Sequence, residues 1–322
     1  MRVGELGERW VVNYILERLK RYGETSLPIG DDAAAVEVSG IAVMSVDMSV
    51  WTTDAPPGIT MRDFGFKSVT SAVSDIAAKG ARPTYYLVSL GMMDELEESA
   101  FRELWGGIDD AVSAYGGKII GGDVSKTEEV LVDCAVMGQA KRLVSRSGAR
   151  VGDVVVVTGT FGAHAAGLRA SLMRREGGLY DELRAICFRP KARVLEGPIL
   201  SEVGLASAMT DSSDGLAVSL YNMARASSVD IEIETLPVHE LVEDFAKMEG
   251  ADVYELVMHG GEEFELVVTL DERRIDVVRE ALDRVGSEMK VIGRVRSGTG
   301  RVYARWRGRL IEVEDRGWSH FG

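Results

Sequence analysis

The run Ile41-Ala42-Val43-Met44-Ser45-Val46 leads directly into Asp47, and the same junction of small or apolar residues with a carboxylate recurs along the chain. The other sites are Gly30-Asp31-Asp32, Ser74-Asp75, Gly121-Gly122-Asp123 and Asp211-Ser212-Ser213-Asp214-Gly215. A carboxylate at the end of a buried element is costly unless hydrogen bonds or a cation meet it. Several carboxylates converging on one place repel one another unless divalent metal holds them. Oxygen ligands without histidine or cysteine select magnesium, usually carried with a nucleotide phosphate. Asp47, closing an apolar strand, is expected where sheet proteins place ligands, at the carboxyl ends of strands.

The 322 residues suffice for two domains, and 46% hydrophobic with 27% charged residues supply an ample core. A net charge of -14 argues against nucleic acid as the main partner, because phosphate backbones need a basic surface. An acidic protein still binds nucleotides when metal ions sit between its carboxylates and the phosphates. No stretch approaches a membrane span, and Met1-Arg2-Val3-Gly4-Glu5 starts no apolar signal region. Cys134 and Cys187 are too few and too distant for a disulfide framework or a zinc site. The expected compartment is a reducing cytoplasm.

Trp10, Val11, Tyr14, Ile15 and Leu19 form an amphipathic first helix. Phe66, Val69, Val73, Ile76 and Ala77 recur at helical spacing, with Lys67, Ser71 and Asp75 on the opposite, polar face. That placement, taken alone, predicts a solvated position for Asp75. A strand is expected at 85–90, a helix from Phe101 to Tyr115 stopped by Gly116-Gly117, and a strand at 130–137. The polar stretch 141–150 precedes a new strand at 153–158. Beyond it come helices from His164, from Leu216 and over 275–282, and strands near 231–233 and 265–269. The chain therefore reads as α+β, in α/β layers, with an N-terminal mixed-sheet domain at 1–145 and a C-terminal sandwich-like α/β domain at 146–322.

Each motif also has an ordinary explanation. Gly-Asp-Asp at 30–32 makes a turn, and Ser213 or Asp214 caps the helix that follows. Yet a helix start with free N–H groups suits phosphate, and two glycines before Asp123 let backbone approach a ligand. Asp63-Phe64-Gly65 spells a protein-kinase tripeptide without the accompanying catalytic loop, so chance accounts for it. Gly159-Thr160-Phe161-Gly162 lacks the lysine of a P-loop and reads as a strand-to-helix turn, with His164 as a helix-start residue. Glutamates in Gly260-Gly261-Glu262-Glu263-Phe264-Glu265 are individually expected in a solvated cluster, although a β-run follows at once. The aromatic ending around Trp318 either docks on the core or stacks on a flat ring.

Together these motifs resemble the thiamine-monophosphate kinases, in the superfamily that includes aminoimidazole ribonucleotide synthetase. The resemblance covers nearly the whole chain, adding Ser145-Arg146-Ser147-Gly148-Ala149, Thr158-Gly159-Thr160, Gly260-Gly261-Glu262 and the closing His320-Phe321-Gly322. It implies a homodimer whose N-terminal sheets pair, with ATP in a cleft between subunit and domain surfaces and thiamine monophosphate as acceptor. It further implies Mg²⁺ at Asp31, Ser45, Val46, Asp47, Asp75, Asp123, Asp211 and Asp214. Asp47, Asp123 and Asp211 would be the catalytic carboxylates, and Gly122, Asp123, Arg146 and Ser213 the nucleotide contacts. Glu262 and Trp318 correspond to contacts with the thiamine moiety, and Asp54 stands where the family places a substrate histidine. Val46 replaces the usual threonine, and an asparagine expected near Ala72 is missing. Another ATP-dependent enzyme of the superfamily with a different acceptor, and a non-catalytic nucleotide- or metal-binding relative, stay open on these residues.

Overall fold

The strand that contains Asp47 continues through it. β1 spans Ile41–Val50, because its ladder with the partner strand runs unbroken to Val50 opposite Leu131. Asp47 therefore sits inside the strand rather than at its end. Asp123 is likewise internal to its strand, whereas Asp211 is a true strand end. The computed structural model describes residues 1–23, 26–27 and 33–319. They divide into two units, Met1–Ile76 with Arg82–Ala140 and Ala77–Ala81 with Lys141–Gly322. Asp31 and the closing His320-Phe321-Gly322 lie outside the described residues.

In the N-terminal unit β1 is joined by β2 (Arg82–Met92), β3 (Lys118–Lys126) and β4 (Leu131–Ala140). Their order is β1-β4-β2-β3, with β2 and β3 parallel and the other pairs antiparallel. Val132, Cys134 and Val136 of β4 alternate inward, giving the sheet one buried face. The helices Met61–Ala78 and Glu98–Tyr115 pack closely through glycine. A Cβ on Gly65 would meet the Leu104 carbonyl at 2.3 Å, and one on Gly107 the Arg62 carbonyl at 1.8 Å. This contact explains Asp63-Phe64-Gly65: Phe64 is fully buried and Gly65 is the crossing point. The first of these helices starts at Met61, ahead of the apolar stripe read from Phe66.

The C-terminal unit is built on seven strands: β5 (Val154–Val157), β6 (Ala206–Asp211), β7 (Asp230–Ile233), β8 (Leu266–Leu270), β9 (Lys290–Arg296), β10 (Val302–Trp306) and β11 (Arg309–Glu312). Their order is β11-β10-β7-β9-β5-β8-β6, mixed, with β7 and β10 parallel. The four valines of β5 show why this sheet needs cover on both faces. Val155 and Val157 pack with Leu216, Leu220 and Met223, while Val154 and Val156 pack with Leu200, Val278 and Leu282. An unbroken apolar run is what a central strand covered on both faces requires. The resulting fold is α+β with two sheets, as the sequence predicts. Among the described residues no helix is long and apolar enough to cross a membrane.

Candidate active site

In the N-terminal unit, Ser45 and Asp75 meet. The Ser45 hydroxyl donates to Asp75 Oδ2 at 2.6 Å, joining β1 to the helix Met61–Ala78. The expected solvated face of that helix is thereby corrected. Lys67 is only 4% exposed and donates from Nζ to the Asp54 carbonyl at 3.1 Å. The reason is packing: Gly138 of β4 admits Ile76 on one side and Gly65 admits the second helix on another. The polar residues are consequently held against β1 and its following turn.

Alternation along β1 places Ser45 and Asp47 on the covered face and Met44, Val46 and Met48 on the open one, where they are 75%, 60% and 59% exposed. Asp47 lies opposite Cys134, whose thiol is pushed up to about 12 by burial first and by the Asp47 and Asp133 carboxylates second. Asp123 is exposed on β3, with Oδ2 3.4 Å from the Ser125 hydroxyl. Gly122 before it is required by the sheet, since a Cβ there would strike the Val88 carbonyl at 1.8 Å. β1 and β3 are opposite edges of the sheet, three strand spacings or about 14 Å apart. Asp47 and Asp123 of one chain are thus too distant to share an ion. Among the described residues no three His, Cys, Asp or Glu side chains gather as a metal-binding group.

Asp54 closes the turn Trp51–Asp54. Its Oδ2 accepts from the Val50 N–H at 2.7 Å, and Glu129 takes the N–H of Thr52 at 2.9 Å. The carboxylate at this position is therefore engaged locally.

In the C-terminal unit three of the sequence motifs converge on one loop. β6 ends in Asp211, 5% exposed, and the loop 212–215 feeds the helix Leu216–Ser227. Glu262 donates its N–H to the Ser213 carbonyl at 2.6 Å, Phe264 to Ser212 at 2.9 Å, and Trp318 to Asp214 at 3.0 Å. Glycines make this approach possible. A Cβ on Gly261 would lie 2.7 Å from the Ser213 carbonyl oxygen, and one on Gly317 only 2.0 Å from that of Asp214. The Trp318 backbone is docked, while its side chain stays 50% exposed. On the other side Met209 donates to the Ser145 carbonyl at 2.8 Å, and Arg146 Nε lies 3.2 Å from the Thr210 hydroxyl. Arg146, Asp211, Ser213, Asp214, Glu262 and Trp318 thus share one region. The Ser212 hydroxyl within it is buried and has no hydrogen-bond partner among the described residues.

The glutamate segment departs from the solvated cluster expected of it. Glu262 and Phe264 adopt φ of +62° and +53°, a left-handed backbone that non-glycine residues rarely take. These turns send Glu263 and Glu265 inward, to 9% and 7% exposure. Glu263 accepts from the N–H groups of Gly162 at 2.6 Å and His164 at 3.2 Å, so the start of the helix Ala163–Leu172 is filled by the chain's own carboxyl group. Burial pushes Glu263 up to about 8 despite those two donors. Glu265 accepts from Thr158 at 2.8 Å and from Arg193 Nε at 2.6 Å. Glu262 alone of the three keeps a partly open carboxylate, 3.2 Å from Nε2 of the buried His164. In the sequence His164 reads as a helix-start residue, and only its spacing after the glycine turn marks it.

Residues 30–140 match the family described as AIR synthase related protein, N-terminal domain, and residues 150–305 match its C-terminal domain. A thiamine-monophosphate kinase of Pyrococcus abyssi is 36% identical over 99% of this chain and 96% of that protein. One from Aquifex aeolicus is 32% identical over 100% of both. A solved structure described as "AaThiL complexed with AMPPCP and TMP" matches with a TM-score of 0.79 and 31% identity, over 100% of this chain and 99% of that one.

Proposed function

This chain belongs to the AIR synthase related family, among its thiamine-monophosphate kinases, and from that premise we propose that it transfers the γ-phosphoryl group of ATP to thiamine monophosphate, giving thiamine diphosphate and ADP. The observation that carries this reading is the end-to-end similarity to a structure described as holding AMPPCP and TMP. Residues 1–145 would hold magnesium, nucleotide and the dimer contact, and residues 146–322 nucleotide and acceptor, in a cytoplasmic enzyme.

The acceptor is a phosphate monoester whose second pKa is about 6, so its attacking oxygen is ionised near neutrality and needs no general base. The chain's task is to overcome repulsion. Two unit charges 4 Å apart cost about 4 kcal/mol at an effective dielectric near 20. The donors fit magnesium: all are hard oxygens, and the Ser212 hydroxyl next to Asp211 lacks a partner among the described residues. Ser45, Asp47, Asp75, Asp123, Asp211 and Asp214 would hold it, with Asp31 and the Val46 carbonyl. Magnesium, when bound, supplies charge neutralisation and alignment for in-line transfer. Arg146 would present its guanidinium fork to phosphate oxygens, and Gly122 and Ser213 would contact the nucleotide. Glu262, oriented by His164, would face the cationic thiazolium ring, and Trp318 would stack on a flat ring.

The separation of Asp47 from Asp123 supports a homodimer with composite sites. Both sheet edges are strands that carry site residues, and the open face presents Met44, Val46, Met48 and Leu87. Apolar surface of this kind calls for a cover. Two copies joined β1 to β3 would close the edges and set the strand that carries Asp47 in each beside the partner strand that carries Asp123. Asp47→Asn and Asp123→Asn are each expected to abolish turnover. Mixing the two after subunit exchange should restore about a quarter of wild-type activity, since half the dimers are mixed and each then keeps one intact site. Full activity in either single variant would sink the assignment, and failure to complement would remove the composite site while leaving the reaction.

A further inference from the structure

The C-terminal unit contains a polar cavity at the end of its sheet away from Asp211. Here β5 and β6 begin and β8 ends. A strand as long as β6 puts it about 17 Å from Asp211. Its volume is about 490 Å³, and Arg142, Arg150 and Arg274 line it together with Asp153, Ser207 and Asp271.

The charges in this cavity do not cancel. The chain has 51 acidic against 37 basic residues, and Arg193, Arg273, Arg294, Arg296 and Arg316 all have carboxylate partners. Arg142, Arg150 and Arg274 form no ion pair among the described residues. Two carboxylates against three guanidiniums leave the lining one positive charge in excess, although Asp271 also attracts Arg274. Asp153 accepts from the Arg150 N–H at 3.0 Å and the Ser207 hydroxyl at 2.6 Å, and Asp271 is held by Arg273 at 2.5 Å. That excess of positive charge around one space attracts an anion.

The backbone is shaped around one of them. Gly204 has φ +67°, and a Cβ there would lie 2.5 Å from a terminal nitrogen of Arg142. Glycine at this turn leaves room for the Arg142 guanidinium beside the cavity. Planar forks of this kind match the oxygens of phosphate groups bidentately. The space exceeds what a single inorganic phosphate fills and falls in the range of small-molecule sites.

We propose that this cavity binds a phosphate-bearing anion of diphosphate size, separately from the carboxylate-rich region around Asp211. The assignment does not depend on the proposed reaction. It is tested by calorimetric titration of the full chain with inorganic diphosphate in metal-free buffer, where the acidic sites have no cation with which to hold the probe. Saturable binding of one diphosphate per chain is expected, weakened at least tenfold in the Arg142→Gln, Arg150→Gln, Arg274→Gln triple variant and falling as salt is raised. A parallel titration with inorganic phosphate identifies the ligand chemistry. Weaker binding than diphosphate is expected, because two phosphate groups are read, and equal binding would overturn the diphosphate-sized assignment. Should the triple variant fail to fold, Arg142→Gln alone is expected to weaken binding several-fold. No saturable binding by the wild-type protein, or equal binding by wild type and folded variants, overturns the proposal.

Discussion

The Ser45 hydroxyl stands 2.6 Å from Asp75 Oδ2, a contact between an edge strand and the last turn of the helix Met61–Ala78. If the pair's work is to hold magnesium, removing the hydroxyl should disturb metal dependence more than folding. Ser45→Ala is expected to cost about 1 kcal/mol of stability. Its half-saturating magnesium concentration should rise by roughly tenfold, which corresponds to the loss of one oxygen ligand. A magnesium titration of initial rates, with a thermal melt as control, reads both quantities. An unchanged magnesium curve would assign the contact to structure alone.

Asp54 makes the opposite case. Its carboxylate closes the turn Trp51–Asp54 on the Val50 N–H. Asp54→Ala should lower stability by about 1 kcal/mol, as the loss of a capping carboxylate does. The KM for thiamine monophosphate is expected to move by less than about threefold. A large rise in KM with unchanged stability would return Asp54 to the substrate.

Glu263 carries a pH signature. Its carboxyl group is pushed up to about 8 by burial, whereas an unfolded glutamate titrates near 4.3. Between those values the native state keeps a proton that the unfolded state has released, so stability falls as pH rises through the window. Glu263→Gln keeps an oxygen for Gly162 and removes the titration. The melting temperature of the variant relative to wild type should therefore climb from pH 5 to pH 8 and level off above it. A difference that stays flat with pH would show that Glu263 is ionised in the folded protein.

The open face of the N-terminal sheet gives an assembly prediction. Met44 and Leu87 are 75% and 44% exposed on it. Met44→Glu with Leu87→Glu should leave the monomer folded and shift the mass in solution, measured by light scattering, from dimer to monomer. Turnover should fall with the dimer. A monomeric variant with normal activity would separate catalysis from assembly.

Much of the fold is legible in the residues because local signals agree. The valine run of β5, the apolar stripe of Glu98–Tyr115 and the β-run through Val46 each declare one element. What escapes such reading depends on distant partners. The helix Met61–Ala78 is covered on its polar side as well, so Lys67 and Asp75 turn inward where the stripe places them in solvent. The alternation of β1 marks two faces, yet only the sheet order shows that Asp47 and Asp123 lie on opposite edges. Nothing local marks Gly261 and Gly317, because their close approach to the carbonyls of Ser213 and Asp214 exists only in three dimensions. The carboxylate motifs were thus visible singly, while their grouping was not.

Phosphorus NMR of the full chain with ATP, magnesium and thiamine monophosphate tests the central claim most directly. Thiamine diphosphate and ADP should appear together in equal amounts, with no ADP formed when thiamine monophosphate is left out. ADP release that proceeds without the acceptor, or ATP that stays intact in its presence, would contradict it.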